Sequence, residues 1–242
     1  MLKVQSCGKE EVLTRHVKEW VKQRKMFYIR TKMTKQTEED LKNIDEYNRI
    51  TNIVRAQGYD EQLAVFLWTM LKYMRNEHWR GACHAACSIM YVALSEMGYH
   101  VDLCLGEVRA EAFCFDHSWI LLDGRIIDLT AGMILVGGVS VSAPIILNMD
   151  IRTDQKYTFQ YGIYRSGLDR ETEIVRDMPF VEYMDNYPKF KNGLWEVLAQ
   201  VFPGEIDIRS LREKYMDVER HYICGNTQDM RALHVSEVLQ KY

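Results

Sequence analysis

Several features that assign a protein to a class at sight are missing from this sequence. It has no Gly-x-x-x-x-Gly-Lys-Ser/Thr phosphate loop, no spaced dinucleotide glycine set and no Gly-x-Ser-x-Gly elbow. That removes the sequence signals for phosphate-loop nucleotide chemistry, for dinucleotide binding and for serine hydrolysis on an α/β-hydrolase sheet. No internal repeat or low-complexity run is present, so a solenoid or array is not indicated. The six cysteines, at 7, 83, 87, 104, 114 and 224, are too few and too scattered to build a chain of 242 residues as a disulfide scaffold. They read as free thiols, mostly small buried hydrophobes, with at most one chemically special. Charge of one sign is also lacking: the net charge of −3 and pI near 6.2 point neither to nucleic acid nor to an anionic membrane. No apolar signal segment precedes the charged start, and a cytoplasmic location is expected.

One long uncharged run does exist, from Leu129 to Met149. Its length nominally suits a membrane span, but Gly132, Gly137, Gly138, Pro144, Asn148 and three hydroxyl residues interrupt it. It is read instead as buried sheet or cleft wall, with short strands at 134–136 and 139–141 joined by a glycine turn. The chain is 47% hydrophobic and 27% charged, an ordinary globular composition. One domain, 1–242, is expected, with a helical N-terminal part (1–75), a core helix and sheet (76–150) and a C-terminal extension (151–242). Residues 1–36 hold ten Lys or Arg against three acids, a net of +7 that leaves −10 for the rest. Within them Glu10–Lys25 reads as a basic helix, either a solvated face or a docking surface for an acidic partner. Helices are also expected from Thr37 to about Ala56, from a cap at Asp60 through Met70 and Leu71, as two short pieces in 178–202 broken at Pro188, and from Ile208. The second of these is expected to pack along the helix headed by Cys83. Residues 164–173 read as an exposed loop, and the close-set Tyr183, Tyr187, Phe190 and Trp195 as cover for the core.

The chemistry concentrates between Trp79 and Thr130. From Cys83 to Met97 only His84, Ser88, Ser95 and Glu96 are plainly polar, which predicts a helix inside the protein. Gly81 and Ala82 let the chain turn sharply into it, and Gly98 stops it. A cysteine at that mouth sits among unpaired backbone N–H groups, which favour negative charge on sulfur. Cys87, one turn deeper, points into the core. Leu121-Leu122-Asp123-Gly124-Arg125-Ile126 then predicts a hairpin with a two-residue type I′ turn. That turn pairs 122 with 125, 119 with 128 and 117 with 130, which puts His117 and Asp128 on one face as diagonal neighbours, roughly 7–8 Å apart at the backbone.

Gly81 and Cys83 opening a buried helix, Gly98 ending it, a strand around 101–108, then His117-Ser118-Trp119 and Asp128 resemble the transglutaminase-like superfamily of papain-type thiol enzymes. The segment is most similar to small bacterial peptide-cleaving members such as lasso-peptide leader peptidases. The resemblance spans about fifty residues and implies an α+β fold with a buried central helix on an antiparallel sheet, plus extra helices at both ends. It also implies a cysteine peptidase or amidase with Cys83 as nucleophile, His117 as base and Asp128 as its orienting carboxylate, acting on a peptide or protein. Transglutaminase or deamidase activity uses the same residues. An oxyanion in such enzymes is held by the nucleophile's own N–H and a further donor, for which Trp79 and Asn76 are the local candidates. A competing reading places Cys83 and Cys87 on one helix face as metal ligands, with His78 or His117 completing the set. The apolar helix and the lack of a second close Cys or His pair speak against it, and no metal or cofactor is expected. The other class is a binding protein on the same scaffold that has lost its chemistry and uses the basic N-terminal helix.

Overall fold

A computed structural model describes residues 38–110, 113–133 and 142–225. The basic helix expected at 10–25 and the strands expected at 134–136 and 139–141 lie outside the described residues. The described chain is a mixed α+β fold of seven helices and a curled, largely antiparallel sheet.

Helix α1 (Glu38–Ala56) ends before Gly58, whose φ of 84° reverses the chain. Helix α2 (Glu61–Asn76) starts where Asp60 Oδ1 accepts the N–H groups of Gln62 at 3.0 Å and Leu63 at 3.2 Å, a cap worth about 1 kcal/mol. Its buried stripe runs from Leu63 through Phe66, Leu67, Met70 and Leu71 to Met74. Helix α3 (Cys83–Glu96) is buried almost all round, as its lack of a polar face requires, and stops at Gly98 with φ 88°. Helix α2 packs on α1 and on α6 (Leu194–Val201), and its buried stripe shares one core with that of α3, past whose end Tyr99 Oη donates to Asp60 Oδ1 at 2.8 Å.

Strands β1 (Val101–Ala110) and β2 (Phe113–Leu122) pair antiparallel along their whole length, and β3 (Arg125–Ile127) extends the sheet beyond β2. The turn between β2 and β3 is the expected one, with Asp123 at φ 48° and Gly124 at φ 72°. A smaller sheet follows, made of β4 (Ile145–Ile146), β5 (Met149–Asp150) and β6 (Gln155–Lys156). The free edge of β1 takes β7 (Gln160–Ile163) antiparallel and, further along, β8 (His221–Ile223) in parallel.

Side chains of β2 alternate between two cores. Ile120 and Leu122 join the helices, while Trp119 and Leu121 join a second cluster with Tyr161 and Ile145. Each such aliphatic side chain contributes roughly 1.5–3 kcal/mol on burial. Within the described part of the uncharged run, Leu129 to Ala131, Ala143 and Ile145 to Leu147 are buried, while Met133, Ser142, Asn148 and Met149 are half-buried.

Helix α4 (Arg170–Asp177) replaces part of the loop expected at 164–173. Asp169 caps it by accepting the N–H of Thr172 at 2.8 Å, with Glu171 and Glu173 in the first turn and Arg176 in the last, the polarity that suits a helix dipole. Helix α5 (Phe180–Asp185), α6 and α7 (Ile208–Lys214) follow much as expected, with Pro188 in the break. Among the described residues no helix is long and apolar enough to cross a membrane.

Candidate active site

Gly81 adopts φ 57° and donates its N–H to the carbonyl of Met133 at 3.1 Å, tying the approach to Cys83 to the segment that follows Asp128. Cys83 is then the first residue of α3, and no side chain caps the helix. Its first-turn N–H groups therefore face the site without an intrahelical partner. Cys83 is 7% exposed and His117 4%, so the pair is sheltered.

The hairpin delivers Asp128 in a way the pairing arithmetic only partly foresaw. Pairing follows the expected register from 122 with 125 to 120 with 127, then β3 ends. In that register the N–H and C=O groups of residues 126 and 128 point away from β2. Ile126 accepts from the Asn148 N–H at 3.0 Å, and Asp128 exchanges two bonds of 2.8 Å with Ile145. The expected pairing of 117 with 130 is not made. Thr130 lies in a turn and folds back on Asp128 instead, because a buried carboxylate needs donors more than the strand needs length.

His117 and Asp128 nevertheless meet, with Nε2 and Oδ2 2.8 Å apart. With Nε2 committed to the carboxylate, the other ring nitrogen, Nδ1, is left for the Cys83 thiol, whose charge is among those that act on the ring. Burial works against the imidazolium, but the charges of Asp128 and of Cys83 and their hydrogen bonds outweigh it, and the His117 pKa is raised. Asp128 is fully buried; burial pushes its pKa up, and the His117 ring, Tyr161 and Thr130 bring it down below the ordinary carboxylate value. It accepts four hydrogen bonds: from His117 Nε2, from Tyr161 Oη at 2.8 Å, and from Thr130 N at 3.0 Å and Oγ1 at 2.9 Å. An ion held by that many donors is fixed in place and in charge.

The other residues named from the sequence have surroundings of their own. Trp79 is packed edge-on against Tyr73 at 5.6 Å and beside Tyr187 at 5.9 Å, in the helical core. Asn76 ends α2 and is exposed. Cys87 and Cys104 are fully buried, and burial pushes both thiols well above their ordinary pKa. Among the described residues no group of His, Cys, Asp or Glu side chains is arranged to hold a metal ion.

Tyr161 and Thr130 were not singled out as site residues. Thr130 could have been: a hydroxyl two residues after an aspartate is well placed to bond it back. Tyr161 carries no site signal in the sequence, and its reach to Asp128 follows from β7 docking on β1. His84 Nδ1 is hydrogen-bonded to Ser118 Oγ at 2.6 Å. Burial, with His117 and Arg220 adding positive charge nearby, lowers the His84 pKa to about 4, so this second imidazole stays neutral.

No family model matches the chain, and neither a curated protein nor a solved structure is found to be similar to it.

Proposed function

We propose that the protein is a thiol-dependent acyl-transfer enzyme, a cysteine peptidase or amidase of papain or transglutaminase-like architecture. The observation that supports it most is the His117 ring bonded through Nε2 to buried Asp128 at 2.8 Å, with its other nitrogen left to a cysteine at an uncapped helix mouth. The sulfur attacks an amide carbonyl, forming the S–C bond. The oxyanion finds backbone N–H groups at the start of α3. His117 passes its proton to the departing nitrogen as the C–N bond breaks. Asp128 holds the ring in the required tautomer and stabilises its cation throughout. Water then attacks the thioester, releasing the acid and returning the thiol; an incoming amine gives transfer in its place.

Incubation of the protein with a complex peptide mixture tests this. New peptide termini, amides turned to acids, or cross-linked amines that appear with the wild type and not with Cys83→Ala or His117→Ala support it and distinguish peptidase, deamidase and transglutaminase outcomes. Identical product profiles for wild type and variants leave the binding-protein reading.

A further inference from the structure

Arg220 leads into β8 and is 8% exposed, a level of shelter close to that of Cys83. Its guanidinium lies over the rings of Tyr183 at 4.7 Å and Phe180 at 5.5 Å. One terminal nitrogen, Nη1, donates to the Met178 carbonyl at 3.1 Å, while Nη2 is buried with no partner. Among the described residues no carboxylate forms an ion pair with it. A buried cation left unpaired is costly to the fold, and natural proteins seldom keep one without use. Two aromatic faces hold its stem and plane in position, so the fork is set before any ligand arrives.

Phe180, under the guanidinium, packs against Tyr91 of α3 with ring centroids 6.0 Å apart, and β8, which Arg220 leads into, lies on β1 with Ile223 opposite Gly106, the residue that faces His117 across the sheet. Consistent with that placement, burial and the charge of Cys83 raise the Tyr183 pKa while Arg220 lowers it, and burial, His117 and Arg220 lower that of His84, next in sequence to Cys83. We propose that Arg220 is the anion-binding group of the Cys83 site and takes a carboxylate of the peptide substrate, an acidic side chain or a free C-terminus, beside the amide under attack. A carboxylate matches a guanidinium fork in shape and is the anion an unmodified peptide carries. This rests on the thiol-enzyme reading and adds the substrate class to it.

Two probes separate the proposals. The first compares alkylation of Cys83 by N-ethylmaleimide with that by maleimidoacetate, maleimidopropionate and maleimidobutyrate, which carry a carboxylate at increasing reach. At least one acid is expected to react about tenfold faster than the neutral reagent and to saturate, a preference lost in Arg220→Gln and partly kept in Arg220→Lys. The second measures thermal unfolding with glutarate, which is expected to raise the Tm of wild type and of Cys83→Ala but not of Arg220→Gln. Equal rates for neutral and acidic maleimides, or a preference unchanged in Arg220→Gln, overturn the Arg220 assignment, as does a wild-type Tm indifferent to glutarate. Glutarate stabilisation that depends on Arg220, in a protein whose Cys83 reacts with no maleimide, keeps the anion site and removes the thiol chemistry. The wild-type arms decide the matter even if Arg220→Gln fails to fold.

Discussion

Tyr161 on β7 donates its hydroxyl to Asp128 Oδ2 at 2.8 Å, the same oxygen that faces His117 Nε2 at 2.8 Å. Two residues remote in sequence thus converge on one buried oxygen. The phenol is fully buried, its pKa pushed well up by burial and by the neighbouring carboxylate, so it stays a donor throughout the working pH range. Asp128 is held from three sides, which lets it act on His117 without moving.

Asp128→Asn keeps the shape and removes the charge. The His117 ring then loses its proton at lower pH, because the carboxylate is one of the groups that holds its pKa up. The alkaline limb of kcat/KM is expected to shift down, with a fall in rate of about 10²–10⁴-fold. Tyr161→Phe keeps the carboxylate and is expected to cost about 1 kcal/mol of stability with a rate loss of only severalfold. A pH profile unchanged in Asp128→Asn removes the carboxylate from the site.

Stability carries the same signature. A raised pKa in the folded chain means that the native state binds the His117 proton more tightly than the unfolded state. That contribution is complete below the unfolded value of about 6.5 and fades as pH rises through the higher native value. Asp128 runs the other way: its lowered pKa stabilises above about 3.9 and the benefit is lost in acid. Urea unfolding of wild type should therefore weaken between pH 7 and 10 by more than that of His117→Leu, with a difference on the order of 1–3 kcal/mol. Parallel curves for the two proteins would refute the coupling.

Gly106 sits between His117 on β2 and Ile223 on β8, opposite both. A Cβ there would lie 2.4 Å from the Ile223 carbonyl oxygen and 3.2 Å from the Trp119 ring. Gly106→Ala is expected to push β8 off the sheet and to cost about 1–3 kcal/mol in denaturant unfolding. Wild-type stability in this variant would show that β8 yields freely.

Local signals were legible wherever the chemistry is local. The Asp60 cap, the Asp123-Gly124 turn and the glycine after α3 each depend on a few adjacent residues, and each was readable. The register that brings Asp128 to the face of His117 follows from the turn alone, since strand parity has only two values. What escaped depends on tertiary packing. Where β3 ends is decided by Ile145 and Asn148, which capture the outward groups of Asp128 and Ile126. Helix α4 was hidden by the Ser-Gly pair just ahead of it, although Asp169 and the charges behind it were a usable start signal. Tyr161 and Arg220 carry no local mark at all, because their partners lie on other elements.

The central claim is that one sulfur is poised by one imidazole. It is tested most directly by limited alkylation with iodoacetamide, read by mass spectrometry at each of the described cysteines, in wild type and in His117→Ala. Cys83 is expected to be labelled first, ahead of the exposed Cys224 and the half-buried Cys114, with Cys87 and Cys104 inert, and its lead is expected to vanish in His117→Ala. Labelling that follows exposure alone, with Cys224 first, Cys83 silent and no effect of His117→Ala, would contradict the account.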